Sequence, residues 1–184
     1  SGYSHIQAAE QYGVIRHIDQ FTLITAVKNL EKDPNLKIHI NISGITITDP
    51  DWMELAQQLF YKKDLYHRLT IEITETAIIK NLKAANFFMK LLRELGCKIS
   101  IDDFGSGYSS FSQLKNIRVD SIKIGEDYIK DLPDKKDTIM FLRALVEYAK
   151  SLNLDIIAEH VEKESTAKFL ADAGVDYLQG YLFS

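Results

Sequence analysis

Apolar and polar positions follow two periods along the chain, and the switching between them outlines the fold. The segment Lys37 to Ile42 (KIHINI) alternates strictly, with Ile38, Ile40 and Ile42 on one face, which predicts a strand. Asp19 to Leu30 instead repeats Phe21, Ile24, Val27 and Leu30 by threes, the stripe of an amphipathic helix that Pro34 ends. Upstream, His5 to Tyr12 reads as a short helix closed by Gly13. Downstream, Asp51 to Tyr61 reads as a helix with Asp49 or Asp51 near its start, and Leu69 to Thr74 as a strand ending in Glu72, Thr74 and Glu75. Asn81 to Leu95 is a helix packing through Ala85, Phe88, Met89, Leu92 and Leu95, and Gly96 stops it.

The next stretch carries the densest signal. Cys97 to Ile101 predicts a strand with Asp102 and Asp103 at its end, Phe104 to Ser110 a loop turned by two glycines, and Ser109 to Lys115 a short helix. Val119 to Ile124 closes this unit as a strand that holds Lys123 between two isoleucines. Beyond the charged run Asp131 to Asp137, read as a solvated loop, come the helix Thr138 to Leu152, the strand Leu154 to Ala158, the helix Lys163 to Ala173 closed by Gly174, and the strand Val175 to Leu178.

Strands and helices thus alternate about six times with short connections, which predicts one α/β domain over residues 1–184. No 20 to 50 residue repeat suggests a solenoid. An open doubly wound sheet gathers its chemistry at one switch point, whereas here nearly every strand ends in a polar residue. That distribution favours a TIM-like (β/α) barrel, two strands short of the full eight.

Composition narrows the chemistry. A net charge of −4 provides no general attraction to DNA or to an anionic membrane, so a phosphate ligand has to be met by local lysines or by metal ions. The single cysteine, Cys97, sits in an apolar strand and reads as a buried structural thiol in a reducing compartment. No apolar run reaches the length of a membrane span, and the first residues have no signal-peptide pattern, so a cytoplasmic location is expected.

If the strands close in order, Asn41, Glu72, Asp102, Asp103, Lys123, Glu159 and Gln179 converge on one mouth. An oxygen-rich set with four carboxylates suits hard divalent cations, Mg²⁺ or Mn²⁺. Two such ions activate water and stabilise a leaving oxygen in phosphodiester hydrolysis, with a lysine to orient the nucleophile or offset charge. Each carboxylate also has a plain reading, since Asp and Glu at strand ends cap the following helix. Lys123 resists such a reading, because a lysine in an apolar strand needs a partner. The five histidines, His5, His17, His39, His67 and His160, show no ligand spacing and read as surface or packing residues.

The motifs IQAAEQYGVI, NIS, IEITET, DDFGSGYSSFSQL, DSIKI, IAEHVE and YLQGYLFS, in this order, resemble the EAL-domain family of bacterial cyclic-di-GMP phosphodiesterases along nearly the whole chain. The resemblance implies a TIM-like barrel that hydrolyses cyclic di-GMP to linear pGpG with two Mg²⁺ or Mn²⁺ ions. It implies metal ligands at Asn41, Glu72, Asp102, Asp103 and Glu159, and catalytic roles for Lys123, Glu159 and Asp103, with Lys123 orienting the attacking water. Gln179, Glu162 and Gly180 take supporting roles, and Glu75 resembles the glutamate that holds the DDFGSGYSS loop. A homodimer fused to sensory or other signalling domains is also implied.

The chain departs from the family pattern in three places. The namesake Glu-Ala-Leu segment, with a further ligand glutamate, is expected upstream of residue 1, and the closing helix beyond Ser184. Gly125 stands where Asp usually follows Lys-Ile, and His160 where glycine is usual. Two functions stay open: a phosphodiesterase, and a degenerate domain that binds the dinucleotide or a protein as a receptor.

Overall fold

A computed structural model of the protein describes residues 8–60, 65–105 and 117–183. The chain forms two compact units, residues 1–99 and 100–184. Among the described residues, no helix is long and apolar enough to cross a membrane.

In the first unit, α1 (Ile15–Lys32) begins earlier than its apolar stripe and buries Leu23, Val27 and Leu30. It leads to β1 (Ile38–Asn41), a 3₁₀ turn (Thr46–Thr48), α2 (Pro50–Phe60) and β2 (Leu69–Thr74). The strands pair in parallel with Asn41 opposite Glu72 and His39 opposite Thr70. Along β2, Leu69, Ile71 and Ile73 are fully buried on one face, which puts Thr70 and Glu72 together on the other.

A short helix, α3 (Glu75–Lys80), follows β2 at once, capped by the Thr74 hydroxyl, which accepts from the Ala77 N–H. Six residues are too few to show a helical period, so the sequence pattern gives it no signal. Asn81 then caps α4 (Leu82–Glu94) through Ala84. The buried face of α4 is the predicted one, with Phe88 against Trp52 of α2 at a ring-centroid distance of 5.5 Å.

Strand β3 (Lys98–Phe104) crosses the unit boundary. The second unit continues with β4 (Ser121–Ile124), α5 (Glu126–Ile129), α6 (Lys136–Ser151), β5 (Asp155–Ala158), α7 (Glu164–Ala173) and β6 (Tyr177–Leu178). Its pairings are all parallel, β3 to β4, β4 to β5 and β5 to β6, so neighbours in the sheet are neighbours in sequence. Parallel neighbours need a crossover, and α6 and α7 supply two of them. Leu142, Leu145, Val146 and Ala149 of α6 and Leu170 of α7 are buried with Ile122, Ile124, Ile156 and Ala158 of the strands.

Two expectations change. Strand β3 does not stop before Asp102 but runs through both aspartates to Phe104. The charged run after Asp131 is shorter than expected, because α6 already begins at Lys136. The expected helix at Ser109 to Lys115 lies outside the described residues. Cys97 is buried as predicted, and desolvation pushes its thiol up to about 12.

Candidate functional site

The sequence-predicted residues fall into one group in each unit. In the second unit the decisive feature is a bulge. Ser100 and Ile101 pair with Ser121 and Ile122, but Phe104 pairs with Ile124, so three residues of β3 span what two span on β4. Neighbours in a regular strand face opposite sides, and an extra residue breaks that alternation. Asp103 absorbs it with φ of 53°, in the left-handed region. Adjacent carboxylates thereby reach one place: oxygens of Asp102, Asp103 and Glu159 all lie within 4.8 Å of one another.

Lys123 stands among them. Its register partner on β5 is Ile157, two residues before Glu159, so the lysine and the glutamate extend from the same side of neighbouring strands. The ammonium lies 2.7 Å from Glu159 Oε1 and 3.4 Å from Asp102 Oδ1. Lys123 is 5% exposed, and its two acidic partners supply what a buried cation requires. Asp102, Asp103 and Glu159 are half-buried, which leaves solvent a way in.

The end of β3 is fixed by Tyr128, a residue that sequence reasoning missed. Its hydroxyl donates to the Gly105 carbonyl at 2.8 Å, and its ring stacks on Phe141 at 4.3 Å. Gly105 has φ of 95°, and a Cβ there would come within 2.6 Å of the Tyr128 ring, so glycine serves both conformation and approach. No periodicity marked Tyr128, because its helix, α5, is four residues long.

At β5 and β6, Gln179 and Glu162 are exposed. Gln179 is held by its backbone, donating to Ala158 at 2.8 Å and accepting from Val161 at 3.0 Å. Gly180 packs so closely that a Cβ would lie 2.3 Å from the backbone N and O of Val161. Its role in the structure is close backbone approach. His160 is exposed and left-handed, with φ of 54°. Gly125 has φ of −66°, which any residue adopts, and a Cβ there would sit 3.4 Å from Asp103 Oδ1. A carboxylate at this position would therefore stand beside Asp103.

In the first unit, register puts Asn41 and Glu72 side by side, and Glu72 is 3% exposed. His39 is a surface residue, as expected, and its Nδ1 meets Glu72 Oε1 at 2.7 Å. The turn after Asn41 is tied to α1, since Asp19 accepts from the Ser43 N–H at 2.9 Å and from the Thr46 hydroxyl at 2.5 Å. Burial pushes the Asp19 carboxyl above its ordinary range, against these two hydrogen bonds. Glu75 is buried at the start of α3. The loop it was expected to hold lies mostly outside the described residues.

The donor set fits a hard divalent cation. Carboxylate oxygens are its preferred ligands, and Asp102, Asp103 and Glu159 bring three within reach of one ion. In the protein as described, Lys123 offsets part of their charge through Glu159 and Asp102.

A parallel α/β fold with an acidic cluster at the ends of its strands defines the class, and comparison with known proteins gives the family. The EAL domain pattern matches residues 4–184, and the chain belongs to the EAL domain family. It is 31% identical over 184 residues to cyclic di-GMP phosphodiesterase PdeR of Escherichia coli, covering 97% of this chain and 28% of that protein. It is 30% identical to cyclic di-GMP phosphodiesterase NbdA of Pseudomonas aeruginosa, covering 97% and 24%. The chain thus spans about a quarter of the length of these relatives. The PaMucR phosphodiesterase, solved as a c-di-GMP complex, superposes with a TM-score of 0.91 at 28% identity, over 100% of this chain and 77% of that one. The FimX EAL domain of Pseudomonas aeruginosa, bound to c-di-GMP, gives 0.89 at 26%, over 96% and 73%. The expected fold class, α/β of TIM-like type, holds.

Proposed function

We propose that this chain is the core of a metal-dependent phosphodiesterase that hydrolyses cyclic di-GMP to linear pGpG. The observation that carries the reading is Lys123, buried between Glu159 and Asp102 in a cluster fit for a divalent cation. Asn41, Glu72, Asp102, Asp103 and Glu159 are the residues that would hold two Mg²⁺ or Mn²⁺ ions. When bound, such ions polarise the attacking water and offset charge on the leaving oxygen. Lys123 donates to the water and orients it, and the Glu159 carboxylate accepts its proton. The water oxygen bonds to phosphorus, the bond from phosphorus to the ribose 3′ oxygen breaks, and the proton passes to that oxygen. Relatives named as phosphodiesterases and neighbours solved with c-di-GMP support the substrate.

A homodimer in the cytoplasm, joined to sensory or signalling domains, belongs to the same reading; the greater length of the relatives supports the further domains.

One observation favours a second reading, a receptor that binds cyclic di-GMP without cleaving it: Gly125 puts no side chain beside Asp103. The experiment is incubation of the intact protein with cyclic di-GMP and Mg²⁺ or Mn²⁺, followed by chromatography, with Lys123→Ala as control. Linear dinucleotide from the wild type alone supports the enzyme. Binding without product under either metal supports the receptor.

A further inference from the structure

The alternation of β1 places His39 and Asn41 on one face and Ile38 and Ile40 on the other. His39 stands opposite Thr70, and Asn41 opposite Glu72, so the imidazole reaches diagonally across the strand pair to Glu72. The contact is short, 2.7 Å from Nδ1 to Oε1, and it engages a carboxylate that is almost completely buried. With Glu72 ionised its carboxylate only accepts, so the tautomer that makes this contact carries the proton on Nδ1 and donates it.

A glutamate side chain has three torsions, and left to itself it samples several orientations. An imidazole rooted in the neighbouring strand removes that freedom, holding Oε1 and turning Oε2 in one direction. Residues that hydrogen-bond a metal ligand act in this way, fixing its orientation ahead of the ion.

We infer that His39 is a positioning residue for metal binding, orienting Glu72 so that its second oxygen meets a divalent cation. The inference rests on the reading of Glu72 as a ligand. The imidazole touches the ligand and not the reacting atoms.

The test is calorimetric titration of Mn²⁺ into the intact protein and into His39→Ala, His39→Asn and Glu72→Ala. His39→Ala should bind Mn²⁺ about 10 to 100-fold more weakly. His39→Asn, whose amide donates from nearly the same place, should recover most of that loss, which a merely structural defect would not allow. If Glu72→Ala weakens binding while His39→Ala binds like the wild type or more tightly, the assignment of His39 is overturned and that of Glu72 stands. If Glu72→Ala binds like the wild type, the ligand reading of Glu72 fails, and the role of His39 with it. Should His39→Ala fail to fold, equal Mn²⁺ affinity in His39→Gln and His39→Leu would overturn the inference, and weaker binding in the leucine variant alone would uphold it.

Discussion

The Lys123 ammonium and the Glu159 carboxylate meet at 2.7 Å from neighbouring parallel strands, with the Asp102 carboxylate 3.4 Å away on the strand at the other side. The lysine is thus the common counter-ion of acids delivered by β3 and β5. Lys123→Met removes it and leaves half-buried carboxylates facing one another. A loss of about 3 kcal/mol is expected. Urea unfolding at neutral pH measures it, and added Mg²⁺ should restore part of the loss by replacing the missing charge. Unchanged stability without metal would show that the ion pair has no structural weight.

Gly125 offers room for a carboxylate. Its added Cβ is 3.4 Å from Asp103 Oδ1, an acceptable contact, and its backbone is open to any residue. Gly125→Asp should cost the metal-free protein about 1 kcal/mol through repulsion with Asp103. The added ligand should raise Mn²⁺ affinity by roughly tenfold and increase turnover of cyclic di-GMP. Titration and product chromatography on the same preparation separate the two effects. A rate that does not rise would show that the missing carboxylate is not what limits the reaction.

The segment from His160 to Gly180 contains two opposite backbone demands. His160 holds a left-handed φ that disfavours a Cβ, so His160→Gly should stabilise the fold by about 1 kcal/mol. Gly180 abuts the Val161 backbone, so Gly180→Ala should cost about 3 kcal/mol. Thermal unfolding of both variants gives the comparison. Equal melting temperatures would contradict both assignments.

Cys97 is buried, with its thiol pushed up to about 12 from an ordinary value near 9.0. The folded state therefore keeps the proton that the unfolded state releases above pH 9.0. Stability from this group is complete below that pH and falls as pH rises toward 12, by about 1.4 kcal/mol per unit. Cys97→Ala should flatten this alkaline slope in urea unfolding at successive pH values. In the native protein at pH 8, a thiol reagent should label Cys97 only as fast as the fold opens. Rapid labelling without unfolding would show that the thiol is accessible.

Most of the fold was legible in the sequence because it rests on local periods. The alternation in KIHINI and the stripe of Asn81 to Leu95 each contain enough residues to fix an element and its buried face. The same patterns put Asn41, Glu72, Lys123 and Glu159 at strand ends, and the motifs that carry them gave the family. Short helices escaped, since Glu75–Lys80 and Glu126–Ile129 are no longer than a turn or two.

What only the tertiary structure decided are relations between strands. Two adjacent aspartates belong on opposite faces by sequence parity, and it is the bulge against β4, with Asp103 left-handed, that turns both toward Glu159. The pairing of His39 with Glu72 and of Tyr128 with Gly105 joins residues 33 and 23 positions apart. Register and loop packing create such contacts. The sequence by itself determined which chemical groups stand at the strand ends, because alternation is a property of each strand alone. Which of those groups touch is settled by the hydrogen-bonded ladders between strands, and no period within one strand encodes that.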